Sequence, residues 1–139
     1  MAYPSNFCCV RFGNIAWSTG SVFPIWETMI KDTGIIKSTG PEMRRFFFTV
    51  NEACDLVIRA LLNIDSLHGK VLVQRMKCVQ IKDILDVFCE YYNSTWERSK
   101  TRHGDNLDEY LIGILENKHT KELEIDNCSH YIIDYKNKQ

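Results

Sequence analysis

Two arginine-bearing segments carry the side chains of this sequence that are best suited to binding an anionic ligand. The first is Met43-Arg44-Arg45, and the second is Thr101-Arg102-His103-Gly104-Asp105. A guanidinium binds phosphate oxygens through two parallel hydrogen bonds, and a carboxylate such as that of Asp105 accepts hydrogen bonds from sugar hydroxyls. Together, the two segments are suited to a nucleotide-sugar. The alternative is that these arginines are solvated or form ion pairs at the surface.

A third polar segment follows a stretch that we expect to be a buried strand. Residues 7–12 are apolar or favour β-structure, Gly13 and Asn14 end the run, and Ser18-Thr19-Gly20-Ser21 is a turn of small polar residues. In open α/β proteins, ligands bind where a strand ends in such a loop and the chain continues into a helix. Many unrelated proteins share this pattern, so it indicates a place for a ligand and not its identity.

Catalytic and metal-binding motifs are not found in the sequence. It contains no Gly-x-Gly-x-x-Gly, P-loop, His-Glu-x-x-His or Tyr-x-x-x-Lys. The six cysteines form no Cys-x-x-Cys pair and no histidine lies at ligand spacing from them, so we predict no metal site. We expect the thiols to be reduced and mostly buried. Each of the four histidines is expected either at the surface or with its hydrogen bonds satisfied.

Composition and charge indicate a globular protein of one domain or a large part of one. The chain has 139 residues, of which 45% are apolar and 25% charged, with a formal net charge of -1. No block of like charge favours nucleic acid as a partner, and no apolar run approaches the ~20 residues of a membrane span. Residues 1–6 do not resemble a secretion signal. We therefore expect a cytoplasmic protein with no nucleic-acid or membrane partner.

Alternating strand and helix patterns predict an α/β fold. The elements of this fold would position the polar segments at 18–21, 43–45 and 101–105. Apolar residues at helical spacing predict a helix from about Ser21 to Thr33. A capping box, Thr49-x-x-Glu52, precedes an apolar helical stripe at residues 53, 56, 57, 60 and 61. Further helices are predicted at 81–92 and 107–112, loops at 38–45, 66–69 and 102–106, and strands at 7–12, 35–37, 46–50, 70–74, 96–101 and 130–135.

Four stretches of the chain, the first of which spans two motifs, resemble in the same order motifs of the polysaccharide-biosynthesis dehydratases. These are extended short-chain dehydrogenase/reductase enzymes that act on UDP-N-acetylglucosamine as 4,6-dehydratases or epimerases. Residues 10–15 and 18–24 resemble Arg-Tyr-Gly-Asn-Val and Ser-Arg-Gly-Ser-Val-x-Pro. Residues 39–46 resemble Thr-Asp-Pro-x-Met-Thr-Arg-Phe, residues 51–53 with their helix resemble Leu-Glu-Glu-Ala, and residues 101–109 resemble Thr-Arg-His-Gly-Glu-Lys-Leu-x-Glu.

The resemblance implies the C-terminal portion of such an enzyme, with an incomplete Rossmann-type sheet and a small substrate-binding subdomain in one partial domain over residues 1–139. It implies seven residues that bind a UDP-N-acetylglucosamine-like nucleotide-sugar: Asn14, Ser21, Val22, Met43, Arg45, Arg102 and Asp105. The arginines would face the diphosphate and Asp105 the ribose. The family's glycine-rich turn and Tyr-x-x-x-Lys pair lie upstream of the first matched strand. NAD(P) is therefore implied for the full-length family, whereas this chain alone is expected to bind no cofactor and to contain no catalytic residue.

The sequence departs from the family motifs at several of the matched positions. Thr19 stands where the motif has arginine, Gly40 where it has aspartate and Arg44 where it has threonine, and Asp105-Asn106 replaces Glu-Lys. Removing a cation from a phosphate site removes a charge-assisted hydrogen bond worth about 1.5–3 kcal/mol. The departures therefore predict a weakened nucleotide-sugar site.

Two hypotheses about function stay open. The chain is either the nucleotide-sugar-binding portion of a dehydratase or epimerase, inactive alone and completed by a separate N-terminal half, or a non-enzymatic binding or interaction module of the same fold. Without the parallel neighbours of a complete sheet, the strand at 7–12 would be an exposed apolar edge. Because such an edge pairs with other chains, we also expect self-association or marginal stability.

Overall fold

The computed structural model describes residues 6–100, 104 and 106–136. The elements are β1 (Cys9–Arg11), β2 (Asn14–Ile15), α1 (Val22–Thr33), β3 (Ile35–Ser38), β4 (Arg44–Phe48), α2 (Val50–Leu62), α3 (Ile64–Leu67), β5 (Val71–Gln74), β6 (Lys77–Gln80), α4 (Ile81–Tyr92), β7 (Thr95–Arg98), a 3-10 helix (Asn117–His119), β8 (Thr120–Ile125) and β9 (Cys128–Ile133). The chain divides into two compact units. The first contains the described parts of Met1–Phe12, Asn51–Met76 and Tyr110–Gln139, and the second contains the described parts of Gly13–Val50 and Lys77–Glu109.

The first unit contains a four-stranded mixed sheet in the order β1-β5-β9-β8. Strand β1 runs parallel to β5, and β9 is antiparallel to both β5 and β8. The buried core beneath the sheet is Leu56, Ala60, Leu67 and Leu72, and Cys8, Val10, Ile125 and Ile132 pack against it. Among the described strands, β1 lies at one edge of this sheet, which agrees with the expected edge position of the strand predicted at 7–12. The expectation that this strand is buried is wrong, because none of residues 7–12 is buried.

Helix α2 has a narrower buried face than its sequence pattern predicts. Ala53, Leu56 and Ala60 are buried. Val57 and Leu61 belong to the same predicted stripe, yet they are 47% and 67% exposed. Each follows a buried residue directly and is therefore turned about 100° away from it around the helix axis, beyond the part of α2 that contacts the core.

The second unit contains a three-stranded sheet in the order β2-β4-β6 and a separate two-stranded sheet of β3 and β7. Strand β2 is parallel to β4, β6 is antiparallel to β4, and β3 is parallel to β7. Helices α1 and α4 supply most of the buried core: Phe23, Trp26, Ile36, Met43, Ile81, Leu85, Phe88 and Cys89. The apolar helical spacing at 81–92 thus predicts the buried face of α4 correctly.

The ends of α1 and α4 lie where the sequence predicts them. Ser21 is the N-cap of α1, and Gly34 ends that helix in the left-handed conformation, with φ of 72° and its N–H bonded to the Ile30 carbonyl. Asn93 ends α4 in the same way, with φ of 49°. Glycine and asparagine adopt this conformation more readily than other residues, which is why local sequence predicted both ends.

The helix predicted at 107–112 is wrong. The Leu107 carbonyl accepts a hydrogen bond of 2.9 Å from the Arg44 N–H, and Asp108 forms a parallel bridge with Arg44. Pairing with β4 keeps this segment extended, so tertiary contacts override the local apolar spacing. The loop predicted at 38–45 is also shorter, because Ser38 ends β3 and Arg44 begins β4.

Five further elements differ from the sequence-based expectations. Strand β2 and the 3-10 helix were not predicted at all. Strands β6 and β8 were not predicted, because their charged and mixed patterns carry little hydrophobic periodicity. Helix α3 occupies part of the loop expected at 66–69. The predicted loop at 102–106 lies largely outside the described residues.

The cysteines are free thiols, but the prediction that most are buried is wrong. Cys89 is buried, Cys8 and Cys128 are half-buried, and the other three are exposed. Adjacent strand residues point to opposite faces, so Cys8 packs against the core while Cys9 does not. Burial raises the pKa of the Cys8 thiol, and the neighbouring Cys9 adds to this effect.

Two histidines depart from the expected surface or fully satisfied state. The Nδ1 of His119 is buried without a hydrogen-bond partner among the described residues. His130 on β9 is fully buried, and its Nδ1 lies 2.7 Å from the Cys128 carbonyl oxygen. Its Nε2 is buried without a hydrogen-bond partner among the described residues. Finally, none of the helices in residues 6–100 and 106–136 combines the length and the apolar character needed to cross a membrane.

Candidate functional site

A cavity of about 640 Å³ lies within the second unit. Its lining comes from the turn between β2 and α1, the first turns of α1, the end of β3, the start of β4 and the residues after β7. The polar lining residues are Asn14, Ser18, Thr19, Ser21, Lys37, Ser38, Thr39, Arg45, Ser99 and Lys100. The volume is in the range of small-molecule sites, and the lining mixes hydroxyl groups and cations with the apolar side of α1.

The turn from β2 into α1 is held by short-range hydrogen bonds. The Ala16 N–H donates to the Phe48 carbonyl at 2.9 Å, which continues the pairing of β2 with β4. The Ser18 hydroxyl donates to the Ile15 carbonyl at 2.9 Å, and the Ser21 N–H donates to the Ser18 carbonyl at the same distance. Gly20, with φ of 77°, allows the chain to reverse here. The small polar residues therefore form a defined rim of the cavity.

Five of the seven residues expected to bind the ligand line this cavity, namely Asn14, Ser21, Val22, Met43 and Arg45. They come from three separate stretches of sequence. The other two expected residues, Arg102 and Asp105, lie outside the described residues. Their relation to the cavity stays a prediction.

Asn14 is anchored through its side-chain amide. Its Nδ2 donates to the Phe46 carbonyl at 3.0 Å and to Oε2 of Glu109 at 3.2 Å. Because these bonds use both amide hydrogens, the group that Asn14 can offer to a ligand is its Oδ1 acceptor. This side chain is therefore suited to a ligand hydroxyl or N–H donor, and not to a phosphate.

Arg45 is held on every nitrogen by protein atoms. Nη1 donates to the Arg44 and Leu107 carbonyls at 2.8 and 3.3 Å, and Nη2 donates to the Asn106 carbonyl and to the Met43 sulfur at 2.9 and 3.2 Å. Nε lies 3.1 Å from Oε1 of Glu109. These five contacts match the five N–H groups of a guanidinium. In this conformation Arg45 connects β4 to residues 106–109, and a ligand phosphate would have to displace one of those contacts.

The neighbouring arginine also contacts residues 106–109. The guanidinium of Arg44 forms a forked pair with the carboxylate of Asp108, with both N···O distances at 2.7 Å. The hydrogen bond from Arg44 holds the pKa of Asp108 below its usual value. The side chain of Arg44 is 61% exposed, so this pair contributes to the local geometry more than to stability.

The N-terminus of α1 opens onto the cavity. Ser21 and Val22 line it, and the described chain shows no side-chain cap bond from Ser21. The Ser21 hydroxyl oxygen is buried without a hydrogen-bond partner among the described residues, and the first turn carries no acidic residue. A helix N-terminus with unsatisfied N–H groups favours negative charge. This end of the cavity is therefore suited to an anionic group.

The residues of this site that sequence reasoning missed include Lys37, Ser99, Lys100 and Glu109. Lys37 and Lys100 lie beside the matched motifs and not within the positions taken over as contacts. Glu109 was part of a matched motif, and its role could have been suspected from that match. Nothing in the local sequence indicated that its carboxylate would join Asn14 to Arg45, because that depends on the extended path of residues 106–109.

The described lining of the cavity offers hydroxyl groups, an amide and cations, which suit the binding of a polar or anionic ligand. Among the residues that the structure describes, its lining contains no histidine, cysteine, tyrosine or carboxylate. The turn between β2 and α1 can also be compared with the turn that binds a dinucleotide cofactor. A dinucleotide sits on a glycine-rich turn between a strand and a helix, and the turn from β2 into α1 reads Ala16-Trp17-Ser18-Thr19-Gly20-Ser21, with a single glycine. That turn therefore lacks the glycine-rich pattern on which a dinucleotide binds.

Comparison with known proteins shows the family. The family described as "Polysaccharide biosynthesis protein" matches residues 2–130. The chain is 45% identical over 81 residues to the capsular polysaccharide biosynthesis protein CapD of Staphylococcus aureus, a match that covers 58% of this chain and 13% of CapD. It is 31% identical over 107 residues to a UDP-glucose 4-epimerase of Rickettsia rickettsii, covering 76% of this chain and 31% of that enzyme.

A solved structure gives the same result. The X-ray structure of Pen from Bacillus thuringiensis matches with a TM-score of 0.81 and 30% identity, covering 92% of this chain and 39% of that chain. The fold is thus that of the C-terminal portion of an extended short-chain dehydrogenase/reductase. The chain belongs to the polysaccharide-biosynthesis family of that class. It spans between 13% and 39% of the length of these three proteins.

Proposed function

We propose that the cavity of the second unit binds a nucleotide-sugar similar to UDP-N-acetylglucosamine, and that this chain is the substrate-binding portion of a 4,6-dehydratase or epimerase. The observation that carries the proposal is that five residues from three matched motifs line one cavity. Hydroxyl groups and the Asn14 acceptor suit sugar and base, and the α1 N-terminus suits a phosphate. The name of the Rickettsia epimerase supports a UDP-sugar as ligand, and the name of CapD supports a role in polysaccharide biosynthesis.

The chain alone is proposed to be inactive and to act in the cytoplasm. The chemistry of an extended short-chain dehydrogenase/reductase needs a bound nicotinamide and a Tyr-x-x-x-Lys pair, and this sequence contains neither a dinucleotide turn nor that pair. We expect no turnover of UDP-N-acetylglucosamine when the chain is incubated with NAD(P). Turnover on mixing with the N-terminal half of a related dehydratase would support the enzymatic role. Binding without turnover in every such mixture would favour a non-enzymatic binding module.

A direct test restores the arginine of the family motif. Thr19 lines the cavity where the motif has arginine. We expect wild-type chain to bind UDP-N-acetylglucosamine in a calorimetric titration and Thr19→Arg to bind it about tenfold more tightly, the gain of one charge-assisted hydrogen bond. Thr28→Arg is the matched control, because Thr28 is exposed on α1 and does not line the cavity. No heat of binding with either the wild type or Thr19→Arg would overturn the proposal.

Two features of the first unit support a protein partner, whether a separate N-terminal half or a second copy. Strand β1 is an edge strand of the described sheet, and α2 exposes a group of large apolar side chains: Val57, Ile58, Leu61 and Leu62. We expect the double variant Leu61→Glu/Leu62→Glu to associate less than wild type in sedimentation experiments. The control is Val87→Glu, an exposed apolar position on α4. A wild-type chain that stays monomeric and binds no N-terminal half would contradict this part of the proposal.

A further inference from the structure

The cavity needs a source of positive charge other than Arg45 if it is to hold the phosphates of its ligand. All five N–H groups of Arg45 have protein partners, and its side chain is only 14% exposed. The arginine that the family motif carries at position 19 is a threonine here. Two other cations line the same cavity, Lys37 and Lys100. Neither lies at a position assigned to the ligand by the family resemblance.

Lys37 is placed by β3 and is only loosely paired. In the register of β3 with β7 it stands opposite Glu97, and its Nζ lies 3.6 Å from that carboxylate. This distance is longer than the 2.7–2.9 Å usual for a charge-assisted hydrogen bond. Both side chains are more than half exposed, so the pair contributes little free energy and an incoming anion can compete for the ammonium group.

Lys100 is brought to the cavity by the continuation of the same two-stranded sheet. The Ser99 N–H donates to the Ser38 carbonyl at 2.9 Å, one step beyond the last paired residues of β3 and β7. This bond fixes the backbone directly before Lys100 beside Ser38, itself a buried lining residue. Lys37 lies on β3 and Lys100 follows β7, and the relative register of these neighbouring strands is set by backbone hydrogen bonds.

A third positive contribution comes from the N-terminus of α1. Its first-turn N–H groups are not capped by Ser21 in the described chain, and the buried Ser21 hydroxyl has no partner there. Two ammonium groups and a helix N-terminus on one cavity form a site for a group with more than one negative charge. Lysine acts there as a point charge, so this arrangement is less demanding of geometry than an arginine fork.

We infer that Lys37 and Lys100, together with the N-terminal N–H groups of α1, bind the diphosphate of the ligand and supply the charge that Thr19 does not. This inference rests on the proposed function for the identity of the ligand, but not for the anion site itself. In this arrangement Arg45 has a structural role, because it holds residues 106–109 against β4.

The experiment compares inorganic pyrophosphate, UDP-N-acetylglucosamine and uridine in calorimetric titrations of the full chain. For the double variant Lys37→Gln/Lys100→Gln, we expect affinity for pyrophosphate and for UDP-N-acetylglucosamine to fall by about tenfold or more, with little change for uridine. Lys37→Arg/Lys100→Arg should retain most of the affinity. Lys31→Gln is the matched control, because Lys31 is an exposed lysine near the C-terminus of α1 and does not line the cavity.

The outcomes separate this inference from the proposed function. If wild type binds UDP-N-acetylglucosamine and the double Gln variant binds it equally well, the lysine site is wrong and the proposed function stands. If pyrophosphate binding is lost in the double variant but UDP-N-acetylglucosamine is never bound, the lysine site stands and the proposed function fails. If the wild type binds neither compound, both are overturned. Melting temperatures of all variants will show that the exposed substitutions leave the fold intact.

Discussion

The guanidinium Nε of Arg45 lies 3.1 Å from Oε1 of Glu109. The second oxygen of that carboxylate accepts the amide hydrogen bond from Asn14. Two residues expected to contact the ligand are thus fixed by a third, which arrives from a distant part of the chain. The polar side of the cavity is therefore organised by the protein itself, and its geometry depends on Glu109.

Replacing Glu109 with glutamine removes the negative charge of its ion pair with Arg45. We expect Glu109→Gln to lower the free energy of unfolding by about 0.5–1 kcal/mol, since the carboxylate is half-exposed and screened by solvent. We also expect weaker binding of UDP-N-acetylglucosamine, because both Asn14 and Arg45 lose a fixed partner. Glu90→Gln is the control, at an exposed position of α4. Equal stability and binding in Glu109→Gln and Glu90→Gln would show that Glu109 does not organise the cavity.

Gly40 makes room for Met43 on the cavity. It has φ of 54°, and a Cβ placed on it would lie 2.2 Å from Cε and 2.6 Å from Sδ of Met43. Gly34 is the matched control, because it has φ of 72° but nothing within 4 Å of such a Cβ. Both alanine variants carry the strain of the left-handed conformation, whereas Gly40→Ala must also displace Met43 at a cost of about 1–3 kcal/mol.

Urea denaturation measures both glycine variants. We expect Gly40→Ala to unfold at a clearly lower urea concentration than Gly34→Ala, with weaker nucleotide-sugar binding as well, because Arg45 donates to the Met43 sulfur. If the two variants are equally stable, Met43 moves without cost and the explanation is wrong.

Glu116 is expected to make the first unit sensitive to acid. Its carboxylate accepts hydrogen bonds from both Nη atoms of Arg11 at 2.7 and 2.8 Å, from the Tyr135 hydroxyl and from the Gly113 N–H at 2.7 Å. The bonds from Arg11 are the largest cause of a pKa far below the usual value of 4.5. Because the folded-state pKa is lowered, the stabilisation is present above pH 4.5 and is lost as the pH falls towards the folded-state pKa.

The variant Glu116→Gln tests this dependence. We expect it to lower the free energy of unfolding at pH 7 by about 2 kcal/mol and to flatten the loss of stability below pH 4.5. Glu122→Gln, at an exposed position of β8, is the control and should retain the wild-type acid transition. An unchanged acid transition in Glu116→Gln would mean that this ion pair does not control the acid stability.

Protonation of His130 is expected to lower the free energy of unfolding in a higher pH range than protonation of Glu116. Burial is the main cause that lowers its pKa below the usual 6.5, and nearby Arg59 acts in the same direction, whereas the Cys128 carbonyl and Asp126 raise it. The unfolded chain therefore binds a proton that the folded chain excludes, and stability falls as the pH drops below about 6.5. Denaturation at pH 7, 6 and 5 should show this fall in wild type and a flatter profile in His130→Leu. Parallel profiles for the two proteins would contradict the assignment.

Local sequence patterns predicted the parts of this protein whose conformation depends on near neighbours. The apolar spacing of α1 and α4, and the glycine and asparagine that end them, act within one or two helical turns. The motif resemblance likewise identified five residues that line one cavity. Strand β8 was not predicted, because its alternation is largely charged and its pairing with β9 comes from the tertiary fold.

Residues 106–109 show what only the tertiary structure decided. The helix predicted at 107–112 would begin within this stretch, but the backbone pairing of Leu107 and Asp108 with Arg44 keeps it extended. The extended backbone supplies hydrogen-bond acceptors for Arg45. Arg45 was expected to bind a phosphate, but all of its N–H donors are already in use. The sequence alone identified five of the side chains that line the cavity. Their remaining hydrogen-bonding capacity depends on partners some sixty positions away, which local pattern does not encode.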